Sequence, residues 1–134
     1  MIASPKLLLM CVSLMIPAIV GCERSSGPKR HTVQGTVIYQ GALVPEGEIR
    51  FTPDVSQGNT GPGAIAEIRG GRFQTESGRG VISGPHVVTI TGFDGIDAQN
   101  TPNLKGNSLF PPFTTNYDFS NKTSDVKFEV ENKK

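Results

Sequence analysis

Apolar and polar residues alternate along much of the chain after residue 31, with the period of two that half-buried β-strands require. The alternation is clearest near the C-terminus, where Val126, Phe128 and Val130 are separated by charged residues. A run rich in β-branched residues at 86–93 is the other strong strand signal. This pattern predicts a sheet of short strands, with further candidates at 32–40, 48–52, 64–68 and 72–75.

Glycine and proline separate these runs, and the chain contains 16 glycines and 10 prolines. Gly70-Gly71 between two strand-like runs predicts a hairpin, and Pro53 ends the strand before it. Gly35 inside the first run indicates a twist, a bulge or a close approach of another backbone. No helical pattern follows residue 22, so we predict an all-β fold, a seven-stranded antiparallel β-sandwich. The side chains expected in its core are Val33, Val37, Ile49, Phe51, Ile68, Phe73, Val88, Ile90, Phe128 and Val130.

The alternation breaks between residues 94 and 115, where turn-forming residues dominate and Pro111-Pro112 excludes a central strand. Such a long loop is uncommon in a compact domain, and it indicates either a functional site or a mobile flap. Its aromatic residues could form apolar platforms for a ligand, or could plug the core, which is the commoner case. The candidates for a binding loop over 94–113 are Phe93, Phe110, Phe113 and Tyr117.

The first 22 residues have a different pattern, in which Lys6 precedes an apolar run at 7–20 and the pair Gly21-Cys22. This is the order of a secretory signal peptide. The run is short for a bilayer span, which needs about 20 apolar residues, so cleavage is predicted. Residues 23–31 contain no apolar side chain and are typical of a flexible tether. The predicted organisation is a signal peptide at 1–21, a tether at 22–31 and a β-domain at 32–134.

The residues Ile19-Val20-Gly21-Cys22 resemble the lipobox of bacterial lipoproteins. The resemblance implies cleavage between Gly21 and Cys22 and acylation of the Cys22 thiol, for example with palmitate. Two or more acyl chains give stable anchoring where one does not. The alternatives are an ordinary signal peptide cut nearby, or an uncleaved anchor. The expected location is outside the cytoplasm, facing the periplasm or the cell surface on a lipid anchor.

The composition offers little reactive chemistry. The cysteines are Cys11, in the segment to be removed, and Cys22, so the mature part has no disulfide. The formal net charge is +1, and the basic residues form no patch that would bind nucleic acid. The oxygen-bearing side chains of Asp94, Asp97, Asn100 and Asn103 recur at steps of three and are a weak calcium candidate, since Asx residues in loops usually serve turn geometry.

Catalytic motifs are absent, and the histidines His31 and His86 have no evident partners. His86 starts a strand, where a histidine bound to a neighbouring group is the commoner case. The sequence therefore predicts no enzyme, no cofactor and no resident metal.

Blocks of turn glycines and strand apolars resemble the small lipoproteins of planctomycete-type bacteria that carry a carboxypeptidase-regulatory-like, or transthyretin-like, domain. The resemblance implies a seven-stranded sandwich and supplies no catalytic residue. The blocks that carry it are 34–37, Gly41, 44–53, 71–73, 80–90 and 126–130.

Two functions follow from these observations. The first is a non-enzymatic, lipid-anchored module of the cell envelope, structural or interacting with an envelope protein or polysaccharide. The alternative is a carbohydrate- or peptide-binding module that uses the loop 94–113. The absence of tryptophan weakens a sugar platform. Exposed, clustered aromatics would favour the alternative, whereas buried ones would favour the first.

Overall fold

The computed structural model describes residues 27–96, 105–121 and 125–132, and these residues form a curled β-sheet. The all-β prediction is confirmed, since the one helix in these ranges is a single 3-10 turn, Val55–Gln57. The strands are β1 (Gln34–Tyr39), β2 (Ala42–Leu43), β3 (Glu46–Pro53), β4 (Ala64–Arg69), β5 (Arg72–Gln74), β6 (Pro85–Phe93), β7 (Phe113–Asp118) and β8 (Asp125–Val130).

The strands follow the order β2-β1-β5-β4-β3-β6-β7, and β8 pairs with β1. Every neighbouring pair is antiparallel except β1 with β8, which run parallel from Gln34↔Asp125 to Tyr39↔Val130. This pair is the one departure from the predicted antiparallel pairing. A parallel pair cannot be joined by a tight turn, and here nearly the whole domain separates the two strands.

The sheet curls around one apolar core. The ring of Phe51 in β3 lies 6.5 Å, between centroids, from that of Phe128 in β8, although β4, β5 and β1 separate these strands in the sheet. Tyr117 in β7 and Phe128 are 5.7 Å apart, edge to face. Side chains from opposite ends of the strand order therefore meet inside the curl.

The predicted core is confirmed, because all ten side chains expected there are buried. The alternation of apolar and polar residues predicted these ten side chains, because the positions of a strand that face the core recur every second residue. The core also contains apolar residues from short strands and loops that carry no alternation, among them Val44, Val81, Phe110 and Phe119.

Two glycine predictions are confirmed. Gly70 and Gly71 have φ of 55° and 76° and join β4 to β5 in a two-residue hairpin, the geometry of a type I′ turn. A Cβ on Gly35 would overlap the carbonyl oxygen of Val126, so this glycine permits a close approach of β8 to β1.

Strand β7 was not predicted from the sequence, because its first residues fall within the loop expected at 94–115. Its sequence, Phe-Thr-Thr-Asn-Tyr-Asp, alternates between half-buried and exposed positions without a continuous apolar face. Asparagine and aspartate are depleted in strands, but β7 lies at the end of the strand order and pairs with β6 alone among the described strands.

Candidate functional site

The aromatic residues of the predicted binding loop point largely into the protein. Phe110 is 5% exposed and lies in the core, with its ring 4.8 Å from that of Tyr39. Phe113 and Tyr117 are half-buried and pack against the core. Phe93 is half-buried at the end of β6, in a backbone bridge with Ser108. Their arrangement is that of core plugs, and they form no exposed aromatic platform in the described residues.

Asp94 organises the described ends of this loop. Its carboxylate accepts hydrogen bonds from the backbone N–H of Ile96 at 3.0 Å and of Asn107 at 2.9 Å, and from the Asn107 amide at 3.1 Å. These bonds, the Ile96 N–H first, lower the pKa of Asp94. Its oxygens thus serve turn geometry, the alternative considered for the calcium candidate.

The remaining calcium candidates, Asp97, Asn100 and Asn103, lie outside the described residues. Within the three described ranges, no three His, Cys, Asp or Glu side chains are grouped to hold a metal ion. Gly21 and Cys22, the predicted cleavage and lipidation residues, also lie outside the described part. In that part, no helix has the length and apolar character to cross a membrane.

His86 is buried, with 1% of its surface exposed. Its Nδ1 lies 2.9 Å from the Gly84 carbonyl, to which it donates, and its ring stands edge-on to Phe119 at 5.2 Å. Its Nε2 is buried without a hydrogen-bond partner in the described structure. The expected hydrogen bond to a neighbour is present, and His86 has the surroundings of a core residue.

A concave surface in the described residues lies where β4 and β5 diverge. Strand β4 pairs with β3 along its whole length but with β5 only at Ile68 and Arg69. Its first four residues, 64–67, therefore face a groove of about 1170 Å³. We call this the β4 groove. Its floor contains the core residues Phe51, Ala64, Ala66 and Phe73.

Five arginines line the β4 groove: Arg30, Arg50, Arg69, Arg72 and Arg79. Three of them have a carboxylate partner nearby: Arg50 with Glu48 at 3.2 Å, Arg69 with Glu67 at 2.5 Å and Arg79 with Glu76 at 3.6 Å. These pairs are exposed, and each contributes little to stability.

Arg30 connects the front of the chain to the groove. Its guanidinium donates through Nη2 to the carbonyl of Gly63, just before β4. The next residue, His31, exchanges two backbone hydrogen bonds with Val81, at 2.7 and 2.9 Å. Among the described residues, backbone pairing of the front of the chain with the folded body thus begins at His31.

No sequence motif predicts this arginine set, because its members are spread between positions 30 and 79. The strand order brings them together, and the one local signal is the pair Arg69 and Arg72 on either side of the Gly-Gly turn.

No protein-family profile and no curated protein matches the chain. The structure itself defines the class: an all-β protein built on a curled, mainly antiparallel sheet.

Proposed function

We propose that the protein is a non-enzymatic, lipid-anchored module of the cell envelope that acts by binding a partner. The sequence before the body supports an anchor at Cys22, and His31 is already tied to Val81. The link between them is 31 − 22 = 9 residues, which covalent geometry limits to roughly 30 Å. The lipobox-like sequence at 19–22, so close before a folded body, is the observation that carries the proposal. The body would be held outside the cytoplasm, facing the periplasm or the cell surface.

We further propose that the curled sheet, in which seven strands are longer than the two-residue β2, is a seven-stranded sandwich of the carboxypeptidase-regulatory-like, or transthyretin-like, type. The tilted contacts of the Phe51 ring with those of Phe73 and Phe128, with centroids 6.0 and 6.5 Å apart, support two facing layers. The similarity of its glycine and strand blocks to planctomycete-type lipoproteins supports the same assignment. The fold by itself names no partner.

Fatty-acid labelling of the two cysteine variants tests the anchor. In a bacterial host that processes lipoproteins, the wild-type chain should incorporate labelled palmitate and sediment with membranes. Cys22→Ala should abolish the label, whereas Cys11→Ala, in the segment predicted to be removed, should label as wild type. Equal labelling of Cys22→Ala, or cytosolic wild-type protein without label, would contradict the proposal.

The alternative, ligand binding by the loop 94–113, has weaker support because Phe110 is a core residue. A deletion of the whole loop would damage the core, so we restrict the test to residues 97–104. A short Gly-Ser link in their place should leave capture of envelope polysaccharide or protein unchanged. Loss of capture by a variant with an unchanged unfolding curve would favour the alternative.

A further inference from the structure

We propose that the β4 groove binds an extended polypeptide segment carrying carboxylate side chains. The segment pairs with the exposed backbone of Ile65 and places its carboxylates against the arginines at the rim. This inference deepens the proposed function, since it rests on the protein being a binding module. It is independent of the lipid anchor.

The backbone of β4 offers a free pairing position in the groove at Ile65. Gly70 donates to the Pro45 carbonyl at 2.7 Å, in the same register that aligns Glu46 with Arg69 and Phe51 with Ala64. Hydrogen-bonded pairs alternate along an antiparallel ladder. The even-numbered residues of β4 thus bond to β3, and the N–H and C=O of Ile65 point to the other side.

Neither backbone group of Ile65 has a hydrogen-bond partner among the described residues. An unpaired strand edge is a template for another strand. The end strands of this sheet carry charged or polar outward residues, which discourages pairing: Asp125, Lys127 and Glu129 in β8, and Thr114, Asn116 and Asp118 in β7. At Ile65 the outward side chain is instead apolar and 51% exposed.

The charge of the groove selects an acidic partner. The lining contains five arginines and three carboxylates, Glu67, Glu76 and Asp125, so its formal charge is 5 − 3 = +2. Arg72 has no carboxylate within 4 Å in the described structure, and it stands directly opposite Arg69 across the β4–β5 pair. Like charges in that position are unfavourable. Glu67 already offsets the charge of Arg69, so a bound carboxylate would chiefly compensate the charge of Arg72.

The backbone distinguishes a polypeptide from a phosphate-bearing surface. Guanidinium groups bind both carboxylate and phosphate. An ionised phosphodiester, however, only accepts hydrogen bonds, so the phosphate itself would leave the Ile65 carbonyl without a donor. A strand supplies both an N–H and a C=O at the correct spacing. The observations therefore favour a polypeptide over a lipid headgroup.

The test uses the purified full chain in detergent and the fluorescent peptide Thr-Glu-Val-Glu-Val-Glu-Thr, with binding followed by anisotropy. A peptide with lysine in place of glutamate is the charge control. A peptide N-methylated at every residue is the backbone control, since neither of its edges can donate hydrogen bonds to a ladder. We expect saturable binding of the acidic peptide and at least about tenfold weaker binding of both controls, a free-energy difference of about 1.4 kcal/mol.

Arg72→Gln should weaken the acidic peptide by about tenfold, whereas Lys127→Gln, the same loss of charge outside the groove, should change binding less than twofold. Unfolding curves confirm that both variants fold, and the N-methylated peptide tests pairing without any variant. Equal binding of the three peptides, or no binding of the acidic one, would overturn the proposal. A different result would assign the groove to lipid headgroups: the protein binds anionic phosphatidylglycerol vesicles, Arg72→Gln abolishes that binding, and the acidic peptide does not bind. Palmitate labelling at Cys22 is a separate readout, so failure of the groove and failure of the anchor are distinguishable.

Discussion

The contact between Tyr117 and Phe128 tests whether the sheet closes on itself in solution. Tyr117 belongs to β7 and Phe128 to β8, the strands at opposite ends of the sheet. Their rings meet at 5.7 Å with an interplanar angle of 68°. A flat sheet would separate these residues by the width of the intervening strands. An energetic coupling between them is therefore a direct measure of the curl.

A double-mutant cycle with Tyr117→Leu and Phe128→Leu measures this coupling. Edge-to-face aromatic pairs contribute about 0.5–1.5 kcal/mol beyond their buried area, so the cycle should give a coupling of that size. The free energy of unfolding is obtained from urea titrations followed by far-UV circular dichroism. Tyrosine fluorescence is unsuitable, because one variant removes a tyrosine.

The control cycle pairs Phe128→Leu with Val55→Ala, a truncation at a position that is 69% exposed. This pair should be additive within about 0.3–0.5 kcal/mol, as expected for independent sites. A Tyr117–Phe128 coupling inside the same margin would show that β7 and β8 do not meet. The curled architecture would then be wrong at its closing edge, even if every strand pair were correct.

Three further predictions concern the core, the β1–β8 pair and acid stability. Phe110→Ala should lower the free energy of unfolding by about 3–5 kcal/mol, as for a core phenylalanine, and a loss below about 1 kcal/mol in urea titration would return Phe110 to the loop surface. Gly35→Ala should lower the melting temperature because its Cβ meets the Val126 carbonyl, whereas Gly27→Ala, with open space around the Cβ, should not; equal melting temperatures would contradict the close approach. In the folded chain, hydrogen bonds lower the pKa values of Asp54 and Asp94 below 3.8. The largest contribution comes from the Ser56 side chain for Asp54 and from the Ile96 N–H for Asp94. The unfolded chain therefore binds more protons in acid than the folded chain does. Stability should be constant above about pH 5 and fall as the pH drops through the folded pKa values; the urea midpoint of Asp54→Asn should fall less, and an identical acid profile would show that this carboxylate is not involved.

The sequence predicted the core well because alternation depends only on the local geometry of a strand. Val126, Phe128 and Val130 alternate with charged residues, and the structure buries all three. Strand β7 escaped notice since an edge strand needs no continuous apolar face. Phe119 is a core residue just after that strand, where its burial follows from the curl rather than from any period.

The partner of β8 could not be predicted in the same way. Its alternation shows which side chains face the core, but gives no information on direction or neighbour. Gly35 was the one local hint, because a strand glycine permits close backbone approach. Its predicted meaning remained open among three possibilities until the structure placed Val126 beside it.

The arginines of the β4 groove show a different limit of sequence reading. Arg69 and Arg72 are close in sequence and opposite each other in the hairpin. Arg30 and Arg79 reach the same surface through the front of the chain and the turn after β5. Even a complete strand assignment would not have located the groove, because it arises where β5 leaves β4 to stay with β1.

The position of the groove connects the two proposals in space. Arg30 lines the groove and also holds the front of the chain to Gly63. If Cys22 is acylated as proposed, 30 − 22 = 8 residues separate the lipid from the rim, and covalent geometry limits that distance to about 28 Å. A segment bound beside Ile65 would then lie close to the membrane surface. The proposed partner is therefore a polypeptide whose acidic segment can come close to the bilayer, and a partner restricted to more remote layers of the envelope would be out of reach.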